Sequence, residues 1–244
     1  MLNKNQIQKQ KAEEHKRRLA EIKARRRGES TIERKAPELK EIPTILIYCE
    51  GKNTEPSYFN KFRLSTITVD SFGEGRNTLS LVKRAKTIAD KKNYDQIWCV
   101  FDADPKPDNP KQLENFNRAI NIAKKLGFGF AYSNQAFEYW LILHFEDHQG
   151  GAMDRNTYGD KINSYTEKLG VHYDSNGSKE ITQDFFNLLE TVVYTDKDGV
   201  KYTRCDIAIK RAEKIYNGYD HKNPSKEESS TTVFQLVQEL NSYK

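Results

Sequence analysis

The sequence predicts an α/β protein with a mostly parallel sheet, and three observations carry that prediction. Short apolar runs recur at residues 45–49 (ILIYC) and 97–101 (IWCVF); they are too brief for helices and uninterrupted enough for strands covered on both faces. Between and after them the apolar period lengthens to that of amphipathic helices, as in a succession of βα units. Both runs also end in acid, Glu50-Gly51 after the first and Asp102-Ala103-Asp104-Pro105 after the second. The carboxyl ends of parallel strands are where open α/β sheets hold their ligands.

Taken in order, 45–49 reads as the first strand and 54–63 as a helix. A short strand at 67–69 and an amphipathic helix over 77–91 follow, then the strand 97–101, a helix over 112–126 and a strand at 128–132. Residues 135–145 (QAFEYWLILHF) are apolar enough for a buried helix, with a strand left open by their length. A polar, glycine-bearing break covers 146–152, and helical patterns return at 156–169, 181–193, 204–219 and 231–241, with a turn signal at 196–199 (DKDG). The expected organisation is a basic arm, helical or disordered, over 1–41, an α/β core over 42–145, and a mainly helical part over 146–244 packed on that core.

Composition limits the function classes. The mean hydropathy is −0.87 and 31% of residues are charged, yet the 11% of aromatic residues lie in clusters with Ile, Leu and Val, enough to build a core. No apolar run approaches the ~20 residues that span a bilayer, and the amino terminus is charged where a signal peptide would be apolar. The expectation is a cytoplasmic protein with no membrane partner. Cys49, Cys99 and Cys205 form no CxxC pair, which argues against structural zinc and a disulfide framework. The five histidines show no HExxH spacing; His144 and His148, four apart, fit a packed or surface pair better than a metal site.

Charge is unevenly spread. Of 40 Lys or Arg and 35 Asp or Glu, 13 and 6 fall within residues 1–40, leaving 27 basic against 29 acidic residues in the remainder. The arm concentrates Lys16, Arg17, Arg18, Lys23, Arg25, Arg26 and Arg27 among few apolar residues. Either these form a solvated basic face or they dock on nucleic-acid phosphates or a protein partner.

The acidic ends suggest divalent-cation chemistry. Asp102 and Asp104, two apart around a turn that Pro105 keeps from becoming a helix, can converge on one hard cation, and Glu50 stands at the matching end of another strand. Gly51 allows close backbone approach to a ligand, and Thr54 is placed to cap the helix that begins near Glu55. Arg76-Asn77, where a strand passes into a helix, offer free amides for a phosphate or ordinary capping. Lys52 is a weaker phosphate candidate against a solvated loop lysine.

The glutamate after the first core strand and the DxD after the third resemble the signature of the TOPRIM fold, a Rossmann-like sheet. More narrowly, residues 45–63 (ILIYCEGKNTEPSYFNKFR), the Asn77-Thr78-Leu79 helix start, 98–104 and 133–145 (SNQAFEYWLILHF), with a further echo at 223–240, resemble the RloB-like family. That resemblance implies a Mg²⁺- or Mn²⁺-dependent nuclease, cutting RNA (tRNA included) or DNA. It would be the effector of a bacterial antiphage or abortive-infection system, beside an AAA- or ABC-type ATPase encoded nearby. A homo-oligomer is left open. Nucleotidyl or phosphoryl transfer of TOPRIM type, and a non-catalytic adaptor subunit of such an ATPase, are the alternatives. Carried over by position, Asp102 and Asp104 would bind the metal. Glu50 would be either a ligand or the base that orients water, since a carboxylate bound to metal is poorly placed to accept a proton. Glu55 and Glu138 are candidate additional ligands. Each also has a plain structural reading, Glu55 as a first-turn helix acid and Glu138 as half of an ion pair amid Phe137, Tyr139 and Trp140.

Overall fold

A computed structural model describes residues 4–28, 43–71, 78–106, 109 and 111–244. The chain divides into two units, residues 1–41 and 42–244. In the first, α1 (Lys4–Gly28) is a helix whose described side chains, Lys16, Arg17, Arg18 and Lys23 among them, are exposed. The side chains of Arg25, Arg26 and Arg27 lie outside the described residues. Leu19 and Ile22 are about half exposed, so the described stretch buries no apolar stripe.

The second unit is a four-stranded parallel sheet flanked by helices, a Rossmann-like core. Its strands are β1 (Ile45–Cys49), β2 (Ile67–Ser71), β3 (Gln96–Asp102) and β4 (Gly129–Ser133), in the order β2-β1-β3-β4. β1 is buried along its whole length, which is why it reads as an unbroken apolar run. Its side chains alternate between two cores: Ile45, Ile47 and Cys49 enter one, Leu46 and Tyr48 the other.

The helices α3 (Thr78–Ala89) and α4 (Lys111–Leu126) cover the second core with Leu81, Val82 and Ala85, and with Phe116, Ala119, Ile120 and Ala123. The first core is larger. It takes Tyr58, Phe59 and Phe62 from α2 (Thr54–Phe59) and the 3-10 turn after it (Asn60–Phe62), and Tyr139 to Ile142 from α5 (Glu138–Ile142). It also takes residues from α6 (Tyr158–Thr166), α7 (Gln183–Leu189), α8 (Arg204–Tyr216) and α9 (Val233–Asn241). The sheet and the later helices therefore share one interior.

Three local features differ from the sequence-based expectation. The apolar stretch 135–145 yields only a short helix, α5, although Tyr139 through Leu143 are fully buried; burial, not helix length, makes it apolar. The pattern over 181–193 ends in a strand, because β5 (Val192–Thr195) pairs with β6 (Lys201–Thr203) across the 196–199 turn as an antiparallel hairpin. Thr54 does not cap α2. The N-cap is Asn53, without a side-chain bond, and Thr54 lies buried with its hydroxyl 3.5 Å from that of Tyr173.

The edge of β4 is sealed by a distant segment. Thr232 Oγ1 accepts from the Tyr132 amide at 2.9 Å, Thr231 donates to the Tyr132 carbonyl, and the Asn134 amide donates to the Ser230 carbonyl at 2.8 Å. No described helix is long and apolar enough to cross a membrane.

Candidate metal centre

The strand order places a topological switch between β1 and β3: the chain leaves β1 for β2 on one side, then returns to pair β3 on the other. The crevice outside such a switch is where ligands of open α/β sheets bind. Glu50 follows β1 and Asp102 ends β3 at this point, with the Glu50 amide bonded to the Val100 carbonyl at 2.8 Å.

On β3 the alternation that sends Trp98 and Val100 into the first core sends Asp102 the same way, beneath α2 and α5. Those two helices start with acids at the same rim, Glu55 in the first turn of α2 and Glu138 at the head of α5. Four carboxylates, Glu50, Glu55, Asp102 and Glu138, thereby share one electrostatic neighbourhood.

Their protonation reflects it. Burial, opposed by a hydrogen bond from the Asp102 amide, raises Glu50 from 4.5 to about 7, with repulsion from Glu55 adding to the rise. Glu55 is likewise pushed up to about 7, first by desolvation, against bonds from its own amide and that of Gly51, with the charge of Glu138 adding to the rise. Asp102 stands well above the usual aspartate range because of desolvation and then the charges of Glu55, Glu138 and Glu50. Glu138 accepts a bond from the Tyr173 hydroxyl at 3.1 Å. One oxygen is left over, because Glu50 Oε2 is buried without a partner.

A Cβ at Gly51 would run into the Glu55 carboxylate, so a larger residue there would push that acid aside. Among the described residues no three Asp, Glu, His or Cys side chains are set in metal-holding geometry. The donor chemistry nonetheless fits a hard divalent cation, which is bound by oxygen alone and would offset the burial and mutual repulsion that raise these carboxyl groups.

Asp104 is not brought to this group. It sits at φ 38°, in the left-handed region, and ion-pairs with Arg155 and with Lys106 Nζ at 3.3 Å. Two acids of the DxD thus divide, one inward and one toward cations. Lys52 is exposed on its loop. Arg76 and Asn77 lie outside the described residues.

The structure adds residues that sequence reasoning missed. Arg155, in a 3-10 turn (Arg155–Thr157), and Lys179, 3.7 Å from Glu138, line a polar cleft of about 290 Å³ beside the rim together with Asn156, Ser175 and Asn176. Both cations come from segments far downstream of β3, and nothing in their local sequence marks them.

Glu50 and Glu55 give the metal-free protein a specific pH dependence. Between about pH 4.5 and about 7 the folded chain holds protons that the unfolded chain has released. The contribution of this site to stability therefore declines as pH rises through that window. Thermal scans in chelator at about pH 5 and about pH 7.5 should show a steeper decline for the wild type than for Glu50→Gln/Glu55→Gln; equal slopes would contradict it.

Fold and rim define a class: a Rossmann-like α/β protein with carboxylates gathered at its topological switch. The chain belongs to the RloB-like family, described as RloB-like protein, which it matches over residues 45–240, from β1 into α9. No curated protein and no solved structure matches it.

Proposed function

We propose that the chain is a Mg²⁺- or Mn²⁺-dependent nuclease of TOPRIM type. The observation that supports this reading is the convergence of Glu50, Glu55, Asp102 and Glu138 at the switch point, beside a cleft lined by Arg155 and Lys179. A divalent cation held by Asp102 and Glu50, with Glu55 or Glu138, would supply a metal-bound water and charge neutralisation for phosphodiester cleavage. Arg155 and Lys179 position a substrate phosphate, leaving their carboxylate partners as it enters. If Asp104 joins the metal, it must first leave Arg155 and Lys106.

Nucleic acid as substrate fits the surface. α3 and α4 both start on the rim side and run away from it. α3 and the turn after it expose Lys83, Arg84, Lys86, Lys91 and Lys92 against Asp90; α4 exposes Lys111, Arg118, Lys124 and Lys125 against Glu114. A polyanion lying along these helices would enter the rim. Substituting Ala for Lys83, Arg84, Arg118 and Lys125 should lower the slope of log affinity against log salt by roughly 0.7–0.9 for each phosphate no longer neutralised. An unchanged slope would reject this path and turn attention to the arm, whose removal (residues 1–40) is the parallel experiment.

The family resemblance carries the rest of the reading: a cytoplasmic effector of antiphage defence, paired with an AAA- or ABC-type ATPase and acting on RNA or DNA. The chain has no Walker A motif, so ATP chemistry would come from the partner. The direct test is calorimetric titration of Mn²⁺ into the wild type and Asp102→Ala/Asp104→Ala, followed by cleavage assays with the ATPase present. Binding and cleavage by the wild type, both lost in the variant, are expected. Equal Mn²⁺ binding in the two, or none in either at millimolar metal, would favour the adaptor.

A further inference from the structure

Away from the acidic rim, a cavity of about 380 Å³ is lined by residues from the turn after α5, from α6 and the turn after it, from α8 and from the hairpin. Its size falls in the ~300–1,000 Å³ range of small-molecule pockets. Two kinds of wall meet there.

One wall is apolar and aromatic: Leu169, Val193, Ile207, and the rings of Phe145 and Tyr165 stacked at 5.6 Å and 6°. The other is cationic, formed by Lys168, Arg204 and Arg211. Arg204 lies 5.7 Å over the Phe145 ring and donates to the Leu188 carbonyl; Arg211 donates to the Leu143 carbonyl at 2.7 Å. Among the described residues none of the three cations has a carboxylate within ion-pair distance, and no acid lines the cavity. Asp147 and Glu146 act on Arg211 only from beyond that distance, and Glu146 is held by Lys161 at 2.8 Å and by the Tyr165 hydroxyl. Burial lowers the affinity of both guanidinium groups for their protons, at Arg211 against the raising influence of Asp147 and Glu146.

His144 supplies the remaining polar group. Its Nδ1 is 3.0 Å from the Trp140 carbonyl, which can only accept, so Nδ1 carries the proton and Nε2 is an acceptor. That Nε2 is buried without a partner, and burial holds the ring neutral, its pKa lowered to about 3. The ring therefore adds no charge to the cavity wall.

We propose that this cavity is a second binding site, for a nucleoside phosphate: the phosphate on Arg204, Arg211 and Lys168, and the base against Phe145, Tyr165 and Ile207. The pocket is built to hold a ligand by charge and apolar contact, and among the described residues no carboxylate or cysteine lines it. Its role is recognition, separate from the rim.

The test is calorimetric titration of AMP into the full chain in chelator, which removes metal-dependent binding at the rim. Wild type should bind one AMP saturably. Arg204→Gln should weaken binding by about tenfold through the loss of one charge-assisted hydrogen bond. Ile207→Trp, which fills the cavity without touching a charge, should abolish binding, and Asp102→Asn should leave it intact. Inorganic phosphate should bind more weakly than AMP. Thermal transitions confirm that each variant is folded, and if Arg204→Gln is not, Ile207→Trp carries the test. The proposal fails if the folded wild type gives no saturable heat up to about 10 mM AMP. It also fails if the folded cavity variants bind as the wild type does, if Asp102→Asn loses binding, or if phosphate binds as tightly as AMP.

Discussion

Asp102→Asn should raise the melting temperature of the metal-free protein while abolishing its binding of Mn²⁺ and any cleavage that depends on it. The two effects have one origin. Asp102 is desolvated and faces the charges of Glu55, Glu138 and Glu50, with Arg155 the opposing influence. An amide of the same shape removes a group that must either take up a proton or carry a poorly accommodated charge on folding, and residues kept for function at the expense of stability are commonly of this kind. A gain of about 1–2 kcal/mol would appear as about 2–4 °C per kcal/mol for a chain of this size. Excess Mn²⁺ should reverse the ranking, because a ligand that binds only the folded state stabilises by about 2.7 kcal/mol at roughly a hundred times its dissociation constant. Scanning calorimetry of both proteins, with chelator and with Mn²⁺, tests both halves. A variant less stable than wild type in chelator would mean that Asp102 serves the fold, and the metal reading would lose its main support.

Tyr58→Ala should cost about 3–5 kcal/mol, in the range of large aromatic truncations in cores. Tyr58 is fully buried and meets Phe59, Phe62, Phe137 and Phe186 at centroid distances of 5.2, 5.7, 5.4 and 5.6 Å, all edge-on. These rings come from α2, the turn after it, the approach to α5, and α7, so one side chain joins the sheet side of the core to the later helices. The loss should therefore lower the stability of residues 42–244 as a whole, in a single transition followed equally by near-ultraviolet and far-ultraviolet dichroism. Two separated transitions would show that the later helices unfold on their own. α2 also carries Glu55, so metal affinity should fall with stability in this variant.

The parallel sheet was legible because strands buried on both faces must be apolar throughout, as residues 45–49 are, and because helices flanking them need one apolar stripe, as α4 has. Glu50 and Asp102 were legible for a related reason: a charge directly after a buried strand can only lie at the rim. Asp104 shows the limit of that argument. Spacing places both aspartates at one end of β3, but the left-handed backbone at Asp104 turns its side chain to Arg155 and Lys106, and no local pattern signals a partner fifty-one residues away. Glu138 was readable as an expensive acid among aromatic residues, yet its neighbours Tyr173 and Lys179 were not, since they arrive on a loop far along the chain. The hairpin was missed for a different reason: its Val192, Val193 and Tyr194 are exposed, so no burial periodicity separates them from the end of α7.

The seal on β4 bears on when the molecule finishes folding during its synthesis. The strand is complete at Ser133, but the donors and acceptors along its edge are satisfied only by residues 230–232, a hundred positions after Tyr132 in the case of Thr232. Pairings of such long range close late, after the loop entropy between them has been overcome. A nascent chain that has already emerged with Glu50, Asp102 and Glu138 would therefore still lack a sealed sheet and the helix α9 that completes its core. Chains terminated before residue 230 should therefore leave the β4 edge unsealed and be less stable than the full chain.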